Sequence, residues 1–199
     1  MLKEIVNRRS IRKYRQNEVP VEMIQQIIQA GQLAPSGKNK QPWKFLVYTA
    51  QAKREILIKM EEGIQRELNG NCMLPNSGYG LPDAQNTLRI MREAPVLIVV
   101  MNPYGKSPFE NITVDERVTE IVDSLSIGAA IQNMLLEAER LGLGTLWIAN
   151  TCFAYPELVE YIKEPGQLMG AVALGYADEM PLPRPRKALD EIVEYRCRL

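Results

Sequence analysis

The chain has 199 residues, of which 46% are apolar and 24% charged, and its formal net charge is zero. That balance gives enough length for a sizeable core and no basic excess for a nucleic-acid partner. Histidine is absent, and Cys72, Cys152 and Cys197 show neither metal-ligand nor CxxC spacing, which excludes a zinc centre, a histidine-based triad and most hydrolase mechanisms.

In chain order, the first element is a basic cluster, Arg8-Arg9-Ser10-Ile11-Arg12. Val21 to Leu33 then places Met23, Ile24, Ile27, Ile28 and Ala30 near helical spacing behind Pro20 and Glu22, which predicts an amphipathic helix. A polar loop follows, Ala34-Pro35-Ser36-Gly37-Lys38-Asn39-Lys40-Gln41-Pro42, running into an apolar strand from Trp43 to Thr49. Gln51 to Leu68 reads as a charged amphipathic helix. Asn69 to Asp83, with Pro75, Gly78, Gly80 and Pro82, reads as a long irregular segment of the kind that forms functional lids. A short helix is predicted over Ala84 to Arg92 and a buried strand over Pro95 to Asn102, followed by a second irregular segment, Pro103 to Ile112.

Asp115 to Leu141 is the longest periodic helix, apolar on nearly all sides, so it belongs in a core or an interface. Its small residues Ser124, Ser126, Gly128, Ala129 and Ala130 would let another backbone approach closely. Gly142-Leu143-Gly144 ends that helix and opens a strand over Thr145 to Ala149; a short helix over Pro156 to Lys163 and a buried strand over Gln167 to Gly175 complete the pattern. The proline-dense tail, Pro181 to Lys187, reads as an extended arm. Helices alternating with four apolar strands predict an α+β or α/β sandwich, helices packed on a mixed sheet, in a single domain over residues 1–199. The charged N-terminus, Met1-Leu2-Lys3-Glu4, and the absence of a bilayer-length apolar run point to a cytoplasmic chain with no membrane partner.

Two segments carry chemistry. Three arginines and a serine within Arg8 to Arg12 can wrap a phosphate dianion, because guanidinium forks match phosphate oxygens. The Ser36, Asn39 and Gln41 loop can hydrogen-bond the polar edges of a heterocycle, and together the two suggest a phosphorylated, ring-bearing cofactor. Each also has a plainer reading alone. The arginines could be a solvated charge run, Ser36 and Asn39 a turn, Arg184 and Arg186 a solvated tail. Trp43 reads as core, Gly142 and Gly144 as helix-cap and strand-entry glycines, and Cys152 as a small buried hydrophobe.

In sequence order, RRSIRKY, APSGKNKQPWKFLVY, GLGTLWIAN and LGYADEMPLPRPRK resemble the FMN-dependent nitroreductase family over nearly the whole chain. The resemblance implies an α+β homodimer with a mixed sheet flanked by helices, a long central interface helix and an extended C-terminal arm. It implies two FMN sites, each built from both subunits, and a ping-pong cycle in which NAD(P)H and a small-molecule electron acceptor, such as a nitroaromatic or quinone, use the same flavin face. It brings Arg8, Arg9, Ser10 and Arg12 to the phosphate, the ribityl chain and the pyrimidine side of the ring. Pro35, Ser36, Gly37 and Asn39 would come from the partner subunit. Asn86 would meet the pyrimidine edge, Arg12 and Arg89 would stabilise N1/O2, Trp147, Ile148 and Ala149 would pack on the ring with a backbone N–H at N5, and Arg184 and Arg186 would close over the phosphate. No protein metal site and no protonatable catalytic side chain are required. The alternatives are a dehalogenase-like or flavin-destructase member of the same fold, or a flavin-binding, redox-sensing module without turnover.

Overall fold

A computed structural model describes residues 1–196 of the chain, so Cys197 lies outside the described residues. Among the described residues, ten regular elements are ordered α1 (Lys3–Asn7), α2 (Val21–Gln32), β1 (Lys44–Thr49), α3 (Ala50–Leu68), α4 (Leu81–Glu93), β2 (Val96–Asn102), α5 (Val114–Arg140), β3 (Gly144–Ile148), α6 (Tyr155–Ile162) and β4 (Gln167–Gly175), with four short 3-10 turns between and after them. The strands form one four-stranded sheet in the order β1-β2-β4-β3.

The sheet is the middle of three layers, and strand alternation decides which helices cover each face. Leu97, Val99 and Met101 of β2, with Ala171 and Ala173 of β4, pack among Ile56, Met60 and Ile64 of α3, Leu88 and Met91 of α4, and Leu158 of α6. The intervening residues Val96, Ile98, Val100, Val172 and Leu174 face Ile24 and Ile27 of α2 and Ile127, Ile131 and Met134 of α5. Burial on both faces is why β2 reads as a continuous apolar run.

The α+β expectation holds, with one difference inside the sheet. All three ladders are antiparallel, and among the described residues parallel pairing is limited to an isolated bridge between Ser10 and Thr145. The segment Asn69 to Asp83 is also less irregular than expected. Residues Pro75–Gly80 form a 3-10 turn, and α4 begins at Leu81, because Pro82 presets the first turn and Leu81 and Ala84 are buried. The helix α1 and the 3-10 turn Asn150–Ala154 were not anticipated.

Gly142 and Leu143 stop α5 as a complete Schellman motif. The Gly142 N–H donates to Glu139 O at 3.0 Å and the Leu143 N–H to Ala138 O at 2.8 Å, with Gly142 at φ +76°. The chain reverses there into β3. Gly144 must be small: a Cβ on it would lie 2.7 Å from Ile11. Trp43 packs against the second core cluster, whereas Cys152 is only partly buried.

Candidate functional site

The stretch Ser10 to Arg15 has too few apolar residues to be a strand alone, yet it is held extended between β3 and the end of β4. The Ile11 N–H donates to Thr145 O at 2.9 Å, the Arg15 N–H to Tyr176 O at 2.9 Å, and the Asp178 N–H to Lys13 O at 2.9 Å. Buried Tyr14 locks the stretch by donating its hydroxyl to Ile11 O at 3.0 Å, and burial pushes its phenol pKa far above the ordinary value. The Arg12 N–H is held by the Glu179 carboxylate. The arginine cluster is thereby tied to the start of the C-terminal arm.

Across from it the arm runs as Met180 to Ala188 without helix or strand, and a cavity of about 320 Å³ opens between the two segments. Arg8, Arg9, Ser10, Arg12, Arg184 and Arg186 all line it. The guanidiniums are not equivalent. Arg9 donates to the carbonyls of Val6, Asn7 and Arg8 at 2.7, 2.9 and 2.9 Å, closing the C-terminal end of α1. Arg12 reaches Ser10 O at 3.1 Å. Among the described residues, no carboxylate lies within ion-pair distance of Arg8, Arg9, Arg12, Arg184 or Arg186. Five guanidiniums around one cavity, none of them in a close ion pair, favour an anion of more than one charge.

The loop Ser36 to Gln41 lies elsewhere. Its Lys38, Asn39 and Gln41 have φ of +52°, +55° and +52°, a region that costs side-chain-bearing residues energy and persists only when surroundings impose it. Within the loop, the Gln41 N–H donates to the Ser36 hydroxyl at 2.9 Å. The loop docks on α5, where the Gly37 N–H donates to Ser126 Oγ at 3.2 Å and a Cβ on Gly37 would meet Val122 at 2.5 Å. Since α1 and Ser10 sit by the far end of α5 and the start of β3, the loop and the arginine cavity of one chain stand about 20 Å apart, at about 1.5 Å of helix per residue.

Asn86 and Arg89 share the exposed face of α4. Asn86 Oδ1 accepts from Arg89 Nε at 3.2 Å and from Nη2 at 3.0 Å, and Arg89 also pairs with Glu93. At the open edge of the sheet, Trp147 is 46% exposed beside Gly128, and Ile148 turns its side chain into the core, leaving only its backbone to the edge. Ala149 is exposed, and the next residue fixes its position: Asn150 Nδ2 donates to Asp83 at 2.7 Å and to Thr87 at 3.0 Å. One chain thus brings the two arginine segments together, sets Ser10 beside Thr145 of the Trp147 strand, and ties that strand's end to α4 through Asn150, while the loop docks on α5. Glu179 and Asp123 carry no motif in the sequence; an acidic residue at Asp123, inside an otherwise apolar stretch of α5, is the one local sign that a partner must meet it.

Comparison with known proteins places the fold. An Archaeoglobus fulgidus protein provisionally named an NADH dehydrogenase/NAD(P)H nitroreductase is 31% identical over 184 residues, covering 88% of this chain and 84% of that protein. The iodotyrosine deiodinase of Thermotoga neapolitana is 24% identical over 194 residues, covering 94% and 91%. A crystal structure from Desulfovibrio desulfuricans, provisionally described as a nitroreductase in complex with FMN, superposes with a TM-score of 0.71 at 27% identity, covering 98% of this chain and 95% of that one. A family model matches residues 5–176, through the arginine cluster, the polar loop and the sheet edge alike, and the chain belongs to the nitroreductase family.

Proposed function

We propose that this protein is an FMN-dependent oxidoreductase that takes hydride from NADH or NADPH and delivers it to a small electron acceptor such as a nitroaromatic or quinone. The observation that carries the reading is the cavity shared by Arg8, Arg12, Arg184 and Arg186, whose guanidiniums form no ion pair among the described residues. A phosphate monoester dianion fits that chemistry, and the FMN of the Desulfovibrio structure supports its identity.

When bound, FMN supplies a ring that accepts hydride at N5 and returns it. The chain's own groups bind, orient and polarise. Arg8, Ser10, Arg184 and Arg186 would hold the phosphate, while Arg9 keeps α1 closed beside it. Arg12, whose guanidinium forms no ion pair among the described residues, would supply a cation to the ring's pyrimidine side. Arg89 is less available because Glu93 shares its charge. Asn86 uses its oxygen on Arg89, which leaves its amide N–H groups for a ring carbonyl. Trp147 and the Ala149 backbone, on an exposed edge, offer a flat contact and a donor for N5.

In this reading the Pro35, Ser36, Gly37 and Asn39 loop reaches the ring from a second copy, and the working unit is a homodimer with two shared sites. Exposed Val118, Ile121, Val122 and Leu125 on α5 support this, as they form one apolar stripe at helical spacing next to that loop. A second reading, reductive dehalogenation, is favoured by the deiodinase relative.

The test is anaerobic. Protein purified with bound flavin should lose its yellow colour on adding NADH or NADPH and regain it when a nitroaromatic or quinone is added. If neither nucleotide bleaches bound flavin, the reductase reading fails; reoxidation by an iodinated tyrosine but by neither other acceptor would select the dehalogenase.

A further inference from the structure

The loop Ser36 to Gln41 holds three side-chain-bearing residues at positive φ, and its internal bonds, such as the Gln41 N–H to the Ser36 hydroxyl, have to offset that strain. Contacts from outside the loop add to them. Lys40 is the one residue of the loop whose side chain reaches a charge in the core: its ammonium lies 2.7 Å from Asp123 Oδ2. Asp123 sits on the buried face of α5 and is 2% exposed. The same oxygen accepts from Asn102 Nδ2 at 3.3 Å, and Asn102 is fully buried at the end of β2. Asn102 Oδ1 in turn accepts the Tyr104 N–H at 3.1 Å, and the Tyr104 ring lies under the Lys40 ammonium at 4.8 Å. The ammonium is therefore held by α5, the end of β2 and the loop after β2 together.

We infer that Lys40 and Asp123 are the positioning pair of this loop: a carboxylate inside α5 fixes Lys40, and Lys40 fixes the strained backbone that presents Pro35, Ser36, Gly37 and Asn39. Neither residue need touch a ligand. A surface ion pair would have little leverage, but removing one partner of a pair whose carboxylate is buried is strongly destabilising, and the loop that carries Lys40 bears that cost. Two other hydrogen bonds depend on the same placement: the Gly37 N–H to Ser126 and the Gln41 N–H to Ser36. The consequence for cofactor retention rests on the flavin reading proposed above; the loop geometry does not.

Amide hydrogen exchange on the flavin-free protein reads the loop directly, and a flavin-fluorescence titration of the same samples reads its consequence. The variants are Asp123→Asn, Lys40→Met, the double variant and the conservative Lys40→Arg. The expected result is exchange at the Gly37 and Gln41 amides faster by about tenfold or more in both single charge-removing variants, with β2 and β4 amides unchanged. FMN affinity should fall by about tenfold, the double variant being no worse than the worse single one, and Lys40→Arg should restore most of both. Wild-type exchange at Gly37 and Gln41 in Asp123→Asn overturns the inference, as does a double variant whose losses multiply. Should Lys40→Met fail to fold, the neutral double variant and Lys40→Arg decide the matter on the same amides. Wild-type protein that binds no FMN overturns the cofactor reading alone, because the exchange result still judges the pair.

Discussion

Arginines that share a cavity do different work, and the difference lies in what each one already touches. Arg9 is taken up by three backbone carbonyls at the end of α1. Arg8 has no such partner and faces the cavity. Replacing Arg8 by Ala should therefore weaken FMN binding by about 10- to 100-fold, the worth of one charge-assisted contact of about 1.5–3 kcal/mol. Arg9→Ala should lower the melting temperature, with a loss near that of a helix C-terminal cation, about 0.3–1 kcal/mol, and cost less affinity. Equilibrium titration followed by flavin fluorescence measures the first and calorimetry the second. Full flavin occupancy in Arg8→Ala would remove the phosphate assignment. The identity of the cations was legible in the chain because guanidinium chemistry is local. Their division of labour was not, since it depends on which carbonyls the fold places nearby.

At the scale of the element, α5 carries both the core and the surface. Its start is set by a capping box: Thr113 accepts the Glu116 N–H at 3.2 Å, and Glu116 accepts the Thr113 N–H at 2.7 Å. Thr113→Ala should cost about 1 kcal/mol of stability, read as a lowered thermal midpoint. The Glu116 carboxyl is held down to about 2, chiefly by the Lys106 ammonium and then by the Thr113 amide. A carboxyl held below its unfolded value stabilises the fold above that value and loses the effect as pH falls. The first turn of α5 should accordingly loosen between the ordinary carboxylate value of 4.5 and about 2, and Glu116→Gln should abolish that part of the acid transition. A chemical-shift titration of the Thr113 and Glu116 amides checks it, and an unchanged profile in Glu116→Gln would refute it. The helix itself was readable from periodicity, as was the glycine that ends it. The sequence pattern called α5 apolar on nearly all sides, and that is accurate, but only packing separates its buried side, Ile127, Ile131 and Met134, from its exposed side, Val118, Ile121 and Leu125.

At the scale of the molecule, one copy presents an arginine cavity, an exposed sheet edge and a shaped loop about 20 Å from that cavity. A second copy is the simplest way to bring a loop to a cavity, since two-fold symmetry supplies each site with what the other chain offers. Leu125, 71% exposed on the apolar stripe, is the place to test this. Leu125→Glu should shift sedimentation from dimer to monomer and release flavin in the same concentration range. A monomer that retains flavin would overturn the shared site.

The sequence alone determined the kinds of group present and the local order of elements. A continuous apolar run made β2 a strand buried on both faces, Gly142 and Gly144 ended one element and opened the next, and the absence of histidine left chemistry to a bound group. These depend on neighbours within a few residues. Only the tertiary structure decided that Ser10 to Arg15 is held beside β3, that Arg184 and Arg186 return to Arg8, and that Asp123 reaches Lys40 across 83 residues. Long-range pairings depend on which faces the sheet and helices bury together, and no local pattern encodes where a buried charge will find its partner.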